Sequence, residues 1–91
     1  MDYKSIGFEC IAGAFFVEGC TNPTNTMIEE VCDLVHQRDQ FIRVDRFPKP
    51  DLKKKSYLER EFYRSDKETR EVVLAAVQAV LTAYGNQATH A

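Results

Sequence analysis

The sequence predicts an all-α, mainly helical protein: a small bundle of three to four helices with a short extended or hairpin segment. Two capping-box patterns followed by apolar residues at helical spacing, and a long apolar pattern near the C-terminus, support this fold class. At 91 residues and 44% hydrophobic, the chain has the size of a single domain, residues 1–91. The tail, residues 86–91, has no apolar anchor and is expected to fray.

The N-terminal apolar segment, residues 5–18, shows no clear period. Because nearly all of its residues are apolar, the sequence predicts its burial more firmly than its shape. A hairpin turning at Gly13 and a buried helix ended by Gly19 are both compatible with it. We favour the helix, in which Gly7 and Gly13 would permit close packing.

A helix over residues 27–38 is predicted by a capping box at Thr26 and Glu29, which apolar residues follow at spacings of three and four. The turn-forming residues 20–25 before it indicate a loop. Residues 40–50 after it combine apolar residues with two prolines. They indicate an extended connector that allows a short strand.

A less regular helix is predicted over residues 51–64. Asp51 can cap its start, and Leu58 and Phe62 form an apolar pair four residues apart. These two residues should face the core. Tyr57 and Tyr63 lie towards the flanks, so that at least one of them is expected at the surface.

The clearest helix pattern spans residues 66–84. Ser65 and Glu68 form a capping box before it, and Gly85 stands where a left-handed cap would end it. Its apolar residues cover an arc wider than the roughly 100° stripe of a one-sided helix. We therefore expect this helix at the centre of the bundle, or with part of its surface in a homodimer interface.

The three cysteines, Cys10, Cys20 and Cys32, are an odd number and predict reduced thiols; a disulfide would require an oxidising compartment. Cys32 and His36 lie four residues apart and, with the other two cysteines, could form a zinc set, but no Cys-x-x-Cys knuckle is present. The pair also fits a thiol and its base, without an oxyanion hole or a third group. Buried thiols explain the same residues, and we predict no metal and no cofactor.

Glu29, Glu30 and Asp33 form an acidic cluster in the first turns of the predicted second helix. Paired carboxylates can act as acid and base, but the helix dipole alone favours acidic residues there. The sequence contains no glycine-rich phosphate loop, no Gly-x-Ser-x-Gly and no His-Glu-x-x-His motif. We predict that the protein is not an enzyme.

Charge is distributed unevenly along a chain whose net charge is -2. Residues 1–37 hold one lysine and six acidic residues, which gives -5, whereas residues 38–64 hold nine basic and five acidic residues, which gives +4. Tyrosines and phenylalanines lie between these basic residues. The contact residues predicted from this segment are Arg43, Arg46, Lys53, Lys54, Tyr57, Arg60 and Tyr63.

The leading functional hypothesis is a non-enzymatic protein that binds and inhibits or regulates a protein partner with an acidic surface, as inhibitors, immunity proteins and phage anti-defence factors do. The alternative is a nucleic-acid or nucleotide-binding protein that uses the same basic segment. A solvated face without a partner would also explain the charges. No apolar run of about 20 residues and no signal-peptide pattern is present, so a cytoplasmic protein is expected.

The segment from Cys10 to Gly13 and the helix from Val72 to Val80 resemble parts of small helical immunity proteins of secretion-system effectors. The resemblance covers a minor part of the chain and includes no diagnostic motif. It assigns neither a family nor any site residue.

Overall fold

A computed structural model describes residues 3–88. The described residues form helices and a two-stranded parallel sheet in the order β1 (Lys4–Gly7), α1 (Phe8–Val17), α2 (Asn25–Arg38), β2 (Ile42–Asp45), α3 (Lys55–Tyr63) and α4 (Lys67–Ala88). The mainly helical class is therefore confirmed. The short strand expected within residues 40–50 is present as β2, but the sheet also contains β1, which the sequence did not predict.

The N-terminal apolar segment is a helix, α1, preceded by the strand β1. The helix ends at Val17, and Gly19 follows with a φ of 92°, the left-handed conformation that glycine adopts without strain. In this conformation the amides of Gly19 and Cys20 donate to the carbonyls of Phe16 and Phe15. The helical alternative and its glycine end are thus confirmed.

The centre of the fold is α1, so the expectation that the helix over 66–84 lies there is wrong. Phe8, Ile11 and Phe15 of α1 have no exposed surface, and α1 packs against α2, α3, α4 and β1. In α4, the fully or nearly fully buried apolar residues form one face, which packs on α1 and α2: Val73, Ala76, Val77 and Val80. Small apolar residues lie beside that face and make the apolar arc of the helix wider than its buried part. Over residues 67–85, only the one face is buried.

Close packing between α1 and α3 depends on Gly13. A Cβ atom at this position would lie 1.9 Å from the carbonyl oxygen of Leu58 and 3.0 Å from the Cβ of Phe62. Such distances are far below van der Waals contact, so only glycine fits. Leu58 and Phe62 are both buried, which confirms that this pair of α3 faces the core.

The sheet pairs β1 and β2 in parallel, with Lys4 opposite Ile42 and Ile6 opposite Val44. Ile6 and Ile42 are buried on the core side, whereas Arg43 lies on the opposite, exposed face. Because the paired residues lie 38 positions apart in the chain, no local sequence pattern predicts this pairing.

The N-terminal caps of α2 and α4 differ from those predicted. Thr24, not Thr26, caps α2, accepting a hydrogen bond from the Met27 amide. At α4 the carboxylate of Asp66, not the hydroxyl of Ser65, accepts from the Thr69 amide. In both cases several polar residues lie side by side, and the path of the preceding chain selects which of them caps the helix.

Two helix boundaries are also corrected. Helix α3 begins at Lys55, because Asp51 accepts from the Lys53 amide in a separate turn before the helix. Helix α4 continues through Gly85 to Ala88, where the sequence predicted its end at Tyr84. Of the tail expected to fray, residues 86–88 belong to this helix and residues 89–91 lie outside the described residues. Within residues 3–88, no helix is long and apolar enough to cross a membrane.

Candidate functional site

Arg46, one of the seven predicted contact residues, is engaged inside the chain. Its guanidinium forms ion pairs with Glu29 and, at 2.8 Å, with Asp33 Oδ1, both on α2. Lys49 Nζ lies 2.9 Å from the second oxygen of Glu29. The hydrogen bonds that the guanidinium donates to Asp33 and Glu29 raise the pKa of Arg46. Two members of the acidic cluster thus hold the chain after β2 against α2.

Arg43 lies on the exposed face of the sheet, in a different element from the other predicted contact residues. Its guanidinium carbon is 4.1 Å from the centroid of the Tyr3 ring, a cation–π contact. The Tyr3 ring lies 5.9 Å from the Phe41 ring. These contacts orient Arg43 along the outside of the sheet.

The other five predicted contact residues lie just before α3 and along it; we call Lys53, Lys54, Tyr57, Arg60 and Tyr63 the α3 surface. All five are exposed, and the tyrosines retain 45% and 56% of their surface. The helix places them away from Leu58 and Phe62, which anchor its other face in the core. Both tyrosines are at the surface, whereas the sequence predicted only that at least one of them would be.

The charges of the α3 surface are less compensated than those around it. Arg46, Lys49, Lys55 and Arg64 each have a carboxylate partner within 4.0 Å. Lys53, Lys54 and Arg60 have no such partner among residues 3–88. These three cations therefore remain available to groups outside the chain.

A groove of about 400 Å³ adjoins the α3 surface. Two of its lining residues, Lys54 and Tyr57, belong to that surface, and the others are Glu9, Pro48, Pro50 and Asp51. The sequence signal for this groove was the Pro-Lys-Pro run, which predicted only a connector. Proline rings and a tyrosine ring side by side can hold an apolar side chain of an extended peptide, whereas Glu9 and Asp51 keep a carboxylate of that peptide outside the groove, nearer the three cations of the α3 surface.

The three cysteines are free thiols. Cys10 and Cys32 are buried, and burial raises the pKa of each thiol to about 11. Their thiolates are therefore scarce at neutral pH. His36 is exposed, although it shares a helix with Cys32. In the described part of the chain, no three histidine, cysteine or acidic side chains lie close enough together to hold a metal ion.

Comparison of the chain with protein families, with curated proteins and with solved structures found no match. A function can therefore be inferred only from the geometry and charge of the α3 surface and its groove.

Proposed function

We propose that this protein is a non-enzymatic binding protein that inhibits or regulates another protein through the α3 surface. One observation carries the proposal. Lys53, Lys54 and Arg60 have no carboxylate partner in the described part of the chain, and they flank Tyr57 and Tyr63, which are both exposed. Tyrosine and arginine are the residue types most enriched at the energetic centres of protein interfaces.

The α3 surface is held rigidly, which favours binding. The close contact at Gly13 fixes α3 on α1, and Leu58 and Phe62 are buried beneath the exposed residues. A helix backbone fixed before binding loses little conformational entropy when a partner docks, so the ordering cost is confined to the exposed side chains.

The partner that fits this surface presents an acidic segment. Three uncompensated cations in a protein of net charge -2 make a local positive region, which attracts carboxylates and accelerates encounter with them. The groove beside Tyr57 offers proline and tyrosine surface for an apolar side chain next to that acidic group. An extended acidic segment that contains an aromatic or aliphatic residue matches both features.

The proposal is tested by capturing partners from extract of the native host with tagged wild-type protein and two double variants. Lys54→Glu/Arg60→Glu reverses two charges of the α3 surface. Arg38→Glu/Lys67→Glu reverses two exposed charges on α2 and α4 that have no ion pair within residues 3–88. A partner retained by the wild type and by the control variant, and lost by the α3 variant, supports the proposal.

The captured partner is then purified and titrated against the same three proteins. We expect the Kd of the α3 variant to rise about tenfold or more, since two charge-assisted contacts become repulsive. The partner's own activity, measured with and without the wild-type protein, shows whether binding inhibits it. Equal affinity of all three proteins would refute the assignment of the α3 surface.

Nucleic acid is the alternative ligand, because cations beside exposed aromatic rings also suit phosphates and stacked bases. The net charge of the chain argues against it, since nucleic-acid domains are usually strongly basic. Nuclease treatment of one capture sample and salt titrations with labelled single strands and duplexes distinguish the two ligands. Binding that weakens steeply with salt and is lost in the α3 variant would replace the protein partner with nucleic acid.

A further inference from the structure

The outer edge of β2 carries backbone groups without a partner. The Lys4 amide donates to the Phe41 carbonyl over 2.8 Å, and the parallel register continues with Ile6 opposite Val44. In this ladder the backbone groups of residues 41, 43 and 45 turn towards β1, whereas those of Ile42 and Val44 turn away.

Of these outward groups, the Ile42 amide donates to the Asp39 carbonyl. The amide and carbonyl of Val44 have no partner among the described residues.

The outer edge of β1 is less open than that of β2. It faces the end of α3 across a cavity of about 230 Å³, whose lining includes Gly7, Glu61 and Ser65. At β2, by contrast, Arg43 and Asp45 on either side of Val44 are exposed. The sheet is stabilised by the packing of α1 on β1 and of α2 on β2, and the unpaired edge of β2 can accept another strand.

We propose that β2 of one copy pairs antiparallel with β2 of a second copy about Val44, so that two chains share a four-stranded sheet in the order β1-β2-β2-β1. With Val44 opposite Val44, the two residues exchange both backbone hydrogen bonds. The parallel ladder leaves the amide and carbonyl of Val44 pointing outward. These are the same groups that this antiparallel register pairs.

The charges on β2 identify the occupant as a second copy. In this register Arg43 of each chain lies opposite Asp45 of the other, in the non-hydrogen-bonded positions where side chains come closest. Arg43 and Asp45 lie one residue before and one residue after Val44. A two-fold axis through the Val44 pair therefore forms two ion pairs, each between Arg43 of one chain and Asp45 of the other. The Arg43 guanidinium stacks on Tyr3 on the β1 side of the strand, so pairing with Asp45 of the second copy requires the arginine to turn towards the outer edge.

Phe47 lies two residues beyond the end of β2, close to the proposed interface. Phe47 is 76% exposed, the largest exposed fraction among the large hydrophobic side chains of the described residues. This interface contains no residue of the α3 surface and stands independently of the proposed function.

The test uses two single charge reversals and their mixture, with oligomeric state measured by sedimentation velocity over a concentration series. Arg43→Asp places two aspartates opposite each other, and Asp45→Arg places two arginines opposite each other. We expect the wild type to dimerise and each single variant to dimerise about tenfold or more weakly. An equimolar mixture of the two variants restores both opposite-charge pairs and should dimerise as the wild type does.

Controls keep the outcome decisive. Lys67→Asp reverses an exposed charge outside the sheet and should leave the dimer unchanged. Asp45→Arg preserves the Tyr3 stack, and circular dichroism reports whether each variant is folded. If Arg43→Asp does not fold, Asp45→Arg carries the test alone, and an unweakened dimer of that folded variant overturns the proposal.

Three results would overturn the proposal. They are a monomeric wild type, a dimer that neither single variant weakens, and a dimer that is dissociated by Ala79→Glu on the exposed side of α4 and not by the β2 variants. The last of these would place the interface on the helix instead.

Discussion

The α1–α3 contact and the contact of residues 46–49 with α2 hold the same chain together by opposite means. At the first, Gly13 lies directly against the backbone of Leu58, in a core without charge. At the second, Arg46 and Lys49 bind Glu29 and Asp33 at the surface, and more than a third of the Arg46 side chain is exposed. One contact should tolerate salt and acid but not an added methyl group, and the other should behave in the reverse way.

Gly13→Ala should break the first contact and has the largest expected effect. The new Cβ would lie 1.9 Å from the Leu58 carbonyl oxygen, so α1 and α3 must separate and open the packing around Phe62. We expect the free energy of unfolding to fall by about 3 kcal/mol or more. Urea unfolding followed by circular dichroism measures it.

Gly85→Ala is the matched control for that substitution. A Cβ at Gly85 meets nothing within 4 Å, and the residue lies inside α4. Because alanine favours the helix more than glycine does, stability should rise by about 0.5 kcal/mol. If Gly13→Ala raised stability as Gly85→Ala is expected to do, the α1–α3 contact would tolerate a Cβ atom, and the assignment of Gly13 to close packing would be wrong.

The two contacts also differ in how much of them the sequence could predict. The apolar segment with a central glycine predicted a buried, closely packed helix, and α1 fulfils this. Its partner could not be predicted, since Leu58 lies 45 positions further along the chain. The same limit applies to Arg46. Its position in a basic stretch of the sequence predicted a contact residue, whereas in the structure its carboxylate partners lie on α2.

The α3 surface was predictable in part, because one helix carries three of its five residues and Lys53 and Lys54 directly precede that helix. The apolar pair Leu58 and Phe62 fixes the buried side, and helical periodicity then places Tyr57, Arg60 and Tyr63 outside. The groove was not predictable, because Glu9 joins it from α1 through the tertiary fold. The parallel pairing of β1 with β2 escaped prediction for the same reason, and each strand has only four residues.

Arg46→Met should weaken the second contact and tests its electrostatic character. The substitution keeps much of the apolar stem and removes the ion pairs to Glu29 and Asp33. At low salt we expect a loss of about 1 kcal/mol, since exposed ion pairs contribute little each. In about 1 M NaCl most of this difference should disappear, because the Debye length falls to about 3 Å.

Arg60→Met serves as the control, since Arg60 has no ion pair within residues 3–88. Its effect on stability should stay within about 0.5 kcal/mol at both salt concentrations. A loss in Arg46→Met that persists at high salt would show that Arg46 contributes by packing.

Glu29→Gln has the smallest expected effect and separates the contacts by pH. Hydrogen bonding from Lys49, and then from Arg46, lowers the pKa of Glu29. A carboxylate with a lowered pKa stabilises the fold above its unfolded pKa, and this contribution is lost as pH falls through the folded value. The wild type should therefore exceed Glu29→Gln by less than about 1 kcal/mol at pH 7, and the difference should shrink towards zero near pH 3.

Urea unfolding of both proteins at several pH values between about 7 and 3 measures this difference. Asp66, whose pKa the Lys4 and Thr69 hydrogen bonds lower to about 2, also loses stabilisation in acid, but it is present in both proteins and cancels. Glu71→Gln, at an exposed residue without an ion pair among the described residues, gives the background of removing one carboxylate. If the Glu29→Gln difference stayed constant down to pH 3, the contact with α2 would be stabilised by packing, as the α1–α3 contact is, and the contrast between the two regions would fail.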